Sequence, residues 1–269
     1  MNENPPGTIL ESDEEIRKVQ EMLRNQTAVN EAKPARSFRP TVRPPVAMLT
    51  VCDDGLSKGE VIRIREEQFI VGRTEGDFQL AFDELLSSRH LAISRQLVKG
   101  HWRWVVTDLQ SKNGVFFRVS KAPLAHNSEV LIGKGCYQFS LNQNNGPDTA
   151  EWSGGQPTGT RTLQSDQNPG VAILTEVIHG GTGARIALTK DTYTIGTAST
   201  CDIIRSEDPF AEPVHATLAR SENGTWVAQN NNTKNGVWVR LPQISIGFKQ
   251  KCEFQAGEQR FKLSFGGKS

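Results

Sequence analysis

The chain has 269 residues, with 31 basic against 30 acidic side chains, so at a formal charge of +1 no global field draws it to nucleic acid or an anionic membrane. Hydrophobic residues make up 36% and charged residues 23%, and 24 glycines with 13 prolines give a turn-rich composition that suits short strands better than a helical bundle. No run of about 18 apolar residues is present, which excludes a membrane-spanning helix.

Residues 1–45 differ from the rest. Ser12, Asp13, Glu14 and Glu15 precede Ile16, Val19, Met22 and Leu23, the pattern of a capped helix with an acidic first turn and one apolar face. Residues 31–45 are rich in Pro, Lys and Arg, hold little to bury and are expected to form an extended arm. The acidic start lacks the basic region and apolar core of a secretory signal. Cys52, Cys136, Cys201 and Cys252 are dispersed, without a C-x-x-C pair or a histidine at ligand spacing. They read as reduced core thiols of a cytoplasmic protein, with no metal.

From Ala47 the chain becomes a series of short β-branched and aromatic segments, at 48–51, 61–64, 69–71, 78–82, 91–94, 102–106, 114–117, 130–132 and 137–141. Turn signals such as Asp53-Asp54-Gly55 and Lys99-Gly100 separate them, and strands at this spacing predict a sandwich of antiparallel sheets. Residues 144–170 are polar and rich in Gly and Pro; they read as a linker that would span on the order of 30 Å as a coil, with Trp152 its one large aromatic.

The strand pattern then restarts as a repeat. Gly72-Arg73 returns as Gly196-Thr197, His90 as His215, and Trp104 with Asn113-Gly114 as Trp226 with Asn235-Gly236, all at an offset of about 122–125 residues. The expected organisation is therefore an arm (1–45), a first domain (46–143), a linker (144–170) and a second domain (171–267).

Three loops of the first copy carry polar groups that fit one ligand. Gly72-Arg73 closes a strand, Ser87-Ser88-Arg89-His90 precedes another, and Ser111-Lys112-Asn113-Gly114 fills a tight connection. Gathered at one end of a sandwich, they offer a guanidinium, hydroxyls, an ammonium and an amide. That inventory suits a phosphate on a peptide: a planar fork for two oxygens, further donors for the third, and Asn for the peptide backbone.

These residues resemble the forkhead-associated (FHA) domain signature, in order and at plausible spacing, over about residues 47–142 and again over 171–266. The resemblance implies an all-β fold, two antiparallel sandwiches of about eleven strands each, whose apical loops bind phosphothreonine peptides. It implies that Arg73 and Ser87 hold the phosphate, that Lys112 adds charge where many members have Thr, and that Asn113 and Ser88 contact the peptide. Gly72, His90 and Gly114 would be architectural. The second copy departs from the pattern: Thr197 stands for the arginine and Glu212 for the serine. A carboxylate facing a phosphate dianion costs a few kcal/mol at an effective dielectric near 20. The second domain is therefore expected to keep the fold and lose the recognition.

Other readings fare worse. A triad of Ser87, His90 and Asp108 lacks a nucleophile-elbow context, and the second copy keeps the histidine while losing the serine. The run Gly180–Arg185 lacks the Gly-Lys-Ser/Thr ending of a phosphate loop and reads as a hairpin turn. Trp102, Trp104 and Trp226 read as core or edge aromatics rather than base-stacking platforms. The expectation is a signalling adaptor without catalytic activity or cofactor. Its partners would be phosphothreonine proteins, Ser/Thr kinases or their substrates, with neither nucleic acid nor membrane. The competing expectation is a phospho-independent scaffold. Thr8 in the arm is a candidate intramolecular phosphothreonine, with Thr27 and Thr41 as alternatives.

Overall fold

The computed structural model describes residues 17, 18, 21, 45–52, 59–141, 171–178 and 181–266. Arg17, Lys18 and Glu21 are helical and exposed. The rest of the expected helix, Thr8, the arm, the Asp53-Asp54-Gly55 turn and the linker lie outside the described residues. No described helix is long and apolar enough to cross a membrane. The described residues from 45 to 266 form one compact unit.

Twenty strands are described. The first ten are β1 (Ala47–Cys52), β2 (Val61–Ile64), β3 (Gln68–Gly72), β4 (Phe78–Gln79), β5 (Leu91–Val98), β6 (His101–Asp108), β7 (Val115–Val119), β8 (Lys121–Leu124), β9 (Ser128–Ile132) and β10 (Gly135–Leu141). The second ten are β11 (Ala172–Ile178), β12 (Gly181–Leu188), β13 (Thr192–Gly196), β14 (Ile203–Ile204), β15 (Ala216–Arg220), β16 (Trp226–Asn230), β17 (Val237–Arg240), β18 (Gln243–Ile246), β19 (Lys251–Ala256) and β20 (Gln259–Phe265). Alternation sets their faces: Ala47, Leu49 and Val51 of β1 point inward, as do Cys252, Phe254 and Ala256 of β19. The β5–β6 hairpin closes through Lys99 and Gly100, both at positive φ (51° and 77°), the two-residue turn that matches strand twist. Gly181–Arg185, expected as part of a hairpin turn, instead belongs to β12, which pairs antiparallel with β11 from Gly181 opposite Ile178 onward, while Gly180 lies outside the described residues.

The strands form two sandwiches, and neither is built from one continuous repeat. One ten-stranded sheet runs β12-β11-β10-β9-β17-β7-β19-β20-β1-β2. Two five-stranded sheets pack on its halves, β18-β6-β5-β3-β4 on one and β14-β13-β15-β16-β8 on the other. The first core joins Leu49, Val71, Trp104 and Phe117 of the first repeat to Ile246, Phe254, Phe261 and Leu263 of the second. The second core joins Val130, Ile132, Tyr137 and Phe139 of the first repeat to Leu174, Ile195, Trp226 and Val239 of the second. Sandwich 1 thus comprises β1–β7 with β18–β20, and sandwich 2 comprises β8–β17. The expected limits 46–143 and 171–267 follow the repeat, whereas each sandwich draws its last three strands, in repeat order, from the other copy. Ten described strands per sandwich stand against the expected eleven or so.

The connections explain the exchange. Only Ser120 separates β7 from β8, one residue fewer than the shortest common hairpin turn. Leu241 and Pro242 separate β17 from β18; Pro242, with φ locked near −65°, excludes a type I′ turn, and Leu241 does not take the positive φ that type II′ requires. At both places the chain cannot fold back on itself, so it runs on into the neighbouring sandwich. Pro123 is tolerated because β8 lies at a sheet edge, where a missing N–H leaves no ladder bond broken. The equivalent strands β7 and β17 pair antiparallel at the seam, Val119 opposite Val237 and Phe116 opposite Arg240, giving the two halves a local pseudo-twofold relation.

Candidate functional site

Three segments of the first repeat meet at one end of sandwich 1, and backbone contacts fix them to each other. Gly72 ends β3; a methyl group there would lie 2.1 Å from Ser88 O and 2.5 Å from Glu75 O, so only glycine admits the approach. Through it the Arg73 N–H donates to Ser87 O at 2.9 Å and the Glu75 N–H to Ser88 O at 3.0 Å. His90, fully buried, joins this segment to the third. Its Nδ1 accepts the Ser87 N–H at 3.1 Å, so Nε2 carries the proton and donates to Gly114 O at 3.0 Å. Burial pushes the His90 pKa below its ordinary 6.5, which favours this neutral form. The turn itself is closed by Ser111 Oγ, which accepts the Gly114 N–H at 3.0 Å, with Gly114 at φ +76°.

The polar side chains follow from this frame. Ser87 Oγ accepts the Lys112 N–H at 3.1 Å, leaving the hydroxyl proton to be donated outward. Asn113 Nδ2 donates to Leu85 O at 2.7 Å, so its Oδ1 is the end left for a ligand. The half-buried Arg73 has no ion pair and no side-chain hydrogen bond among the described residues, and Lys112 and Ser88 are exposed. Arg73, Ser87, Lys112 and Asn113 are therefore brought together, with Ser88 beside them. The triad is not formed, because both ring nitrogens of His90 are engaged by backbone groups rather than by Ser87 Oγ. Among the described residues no group of His, Cys, Asp and Glu side chains comes together as a metal site.

Asp83 is a member of this site that the motif reading passed over. Buried, it accepts the Leu85 N–H at 3.0 Å with Oδ1 and the Glu258 N–H at 2.8 Å with Oδ2. It thus ties the serine loop of the first repeat to the β19–β20 turn of the second. Asp208 repeats the arrangement with Phe210 (3.0 Å) and Lys134 (2.9 Å). The two aspartates recur at the same offset of about 125 residues as the other landmarks, a signal the sequence did contain.

The second copy keeps the frame. Thr197 N–H donates to Glu212 O at 3.0 Å, the Glu212 N–H to His215 Nδ1 at 3.1 Å, and His215 Nε2 lies 2.9 Å from Gly236 O. Asn235 Nδ2 donates to Phe210 O at 2.9 Å. The difference is at the centre: the Lys234 N–H, counterpart of Lys112 N–H, donates to Glu212 Oε1 at 2.5 Å. A carboxylate fills the place of the hydroxyl, and it has no proton to give.

Comparison with known families agrees with this doubled frame. Residues 69–133 and 193–258 each match the FHA domain. Two stretches of the chain, in tandem, are thus similar to the FHA domain. No curated protein matches the chain. FHA domains are interaction modules that bind phosphopeptides, rather than catalysts. Each FHA match crosses the exchange: 69–133 begins in sandwich 1 and ends in β9 of sandwich 2, and 193–258 does the reverse.

Proposed function

We propose that the first FHA site binds phosphothreonine peptides and that the protein is a signalling adaptor working alongside Ser/Thr kinases, while the second FHA site does not read phosphate. The observation that carries this is the backbone bond that sets Arg73, whose guanidinium has no ion pair or hydrogen bond among the described residues, next to Ser87, whose hydroxyl oxygen already accepts the Lys112 N–H and so keeps its proton to donate. A phosphate ester brings close to two negative charges and three acceptor oxygens. The Arg73 fork takes two oxygens, and the Ser87 hydroxyl and Lys112 ammonium serve the third. Asn113 Oδ1 accepts a peptide N–H beside the phosphothreonine, and Ser88 lies along the same edge.

The test is a fluorescence-anisotropy titration of the full chain with a phosphothreonine peptide library and the same peptides unphosphorylated. Binding should require the phosphate. Arg73→Ala should weaken it at least about a hundredfold, since two charge-assisted hydrogen bonds are lost at once. Binding that persists in Arg73→Ala, or that survives phosphatase treatment, would instead favour the phospho-independent scaffold.

A further inference from the structure

The turn that carries Lys112 and Asn113 rests on a side chain from the other repeat. Arg240, at the end of β17, lies beneath Gly114: a methyl group on that glycine would come within 2.1 Å of Arg240 Nε and 2.7 Å of Cζ. Its register across the seam, opposite Phe116 of β7, puts it there. Arg240 Nη1 donates to Glu129 at 2.9 Å, a residue of β9 and so of sandwich 2. The same guanidinium acts on the buried His90, whose pKa is lowered mainly by burial and additionally by the Arg240 charge.

The pseudo-symmetric mate shows what such an arginine does. Arg118 lies beneath Gly236, with a methyl position 2.4 Å from its Nε, and its Nη1 donates to Glu253 at 2.8 Å. Its Nη2 is also engaged, donating to Thr233 O at 3.1 Å and Lys234 O at 2.9 Å, the carbonyls of the second site's turn. In that copy the Glu212 carboxylate already occupies the centre of the site. Arg240 Nη2 has no such bond among the described residues, and the centre of the first site is the neutral Ser87 hydroxyl in place of a carboxylate.

Resting on the phosphothreonine reading above, we propose that Arg240 is a positioning residue of the first FHA site, contributed by the second repeat. Its Nη2 takes the carbonyls of Ser111 and Lys112 when a phosphopeptide is bound, the arrangement Arg118 holds in the other copy around Glu212. The second repeat then has a role although it reads nothing itself: it supplies the floor on which the reading turn is set. Holding the Ser111 and Lys112 carbonyls fixes the two peptide planes that also carry the Lys112 and Asn113 N–H groups, so the support acts on affinity and not merely on folding.

The experiment compares seam variants in the full chain, each checked by thermal unfolding, against one phosphothreonine peptide. Arg240→Ala should weaken binding about tenfold, and Arg240→Lys, whose single ammonium can meet Glu129 or the turn carbonyls but not both, should recover about half of the loss on a logarithmic scale. Arg118→Ala removes an equivalent side chain from the same seam and should leave the affinity within about twofold of the parent. Glu129→Gln keeps the arginine but loosens its tether; it should weaken binding about threefold and serves as the reading if Arg240→Ala does not fold. Parental affinity in Arg240→Ala or, should that variant be unfolded, in Glu129→Gln overturns the proposal. An equal loss in Arg118→Ala also overturns it. Arg73→Ala in the same series separates the two layers: if it too binds like the parent, the phosphothreonine reading is what has failed.

Discussion

The two FHA sites share a skeleton and differ in what occupies its middle. In both, a buried histidine joins a loop N–H to a turn carbonyl, a glycine admits the close approach of two backbones, and an asparagine amide ties the turn to the preceding loop. In both, the amide of a lysine needs an acceptor, supplied by Ser87 in one and Glu212 in the other. Folding is indifferent to this choice, because either oxygen satisfies the amide. A phosphate is not indifferent, because the serine carries a hydroxyl proton that a carboxylate lacks, and Thr197 stands where the first copy has Arg73. The backbone frame is thus separable from the side chain at its centre, and the second copy keeps the frame with a carboxylate where the first has a hydroxyl.

The largest expected effect concerns the exchange of strands. Phe254 belongs to the second repeat but is fully buried in sandwich 1, stacked on Phe261 with ring centroids 5.1 Å apart and tilted against Phe117 at 6.0 Å. Phe254→Ala should cost about 3–5 kcal/mol, as large core truncations do. Hydrogen exchange should place the loss in β1, β6 and β7. Lost protection confined to β11–β16 would show that the strands close within their own repeat instead.

Converting the second site ranks next. Thr197→Arg together with Glu212→Ser restores a fork and a donor at positions whose backbone partners already match those of Arg73 and Ser87. A gain of about 2–3 kcal/mol in phosphopeptide binding is expected from the added charge-assisted bonds. Calorimetry should show the stoichiometry rising from one peptide per chain to two. A stoichiometry still at one would mean that the frames are less alike than their hydrogen bonds indicate.

The smallest effect is on acid stability. His90 is held neutral by burial, so below about pH 6.5 the unfolded chain binds a proton that the folded chain resists. Stability should be level above that pH and decline as the pH falls through it. Urea midpoints at about pH 7.5 and 5.5, compared between the parent and His90→Gln, isolate this contribution. An equal acid decline in both would assign it to other groups.

Much of this was legible from the sequence. The β class, the Lys99-Gly100 turn and the alternating faces follow from local chemistry that the packing does not override. The convergence of Arg73, Ser87, Lys112 and Asn113 was legible because three separate landmarks recur in both copies. The partition into sandwiches was not read, since β8–β10 and β18–β20 derive from the same repeat unit and present similar apolar faces to either core. What decides between them is a lone Ser120 and a Leu241-Pro242 step where a reversing turn would need two residues and positive φ. Asp83, Arg118 and Arg240 were passed over for the same reason, because each acts on the copy it does not belong to.

That interleaving also sets an order of events during synthesis. Sandwich 2 is a single uninterrupted stretch from Lys121 to Arg240, so it closes as soon as its last strand has left the ribosome. The reading end, begun at Ala47, must wait for Phe265, which pairs with that same Ala47, before its sheet is complete. A chain cut short in its last two dozen residues would therefore present a finished sandwich 2 beside a sandwich 1 that lacks β19 and β20.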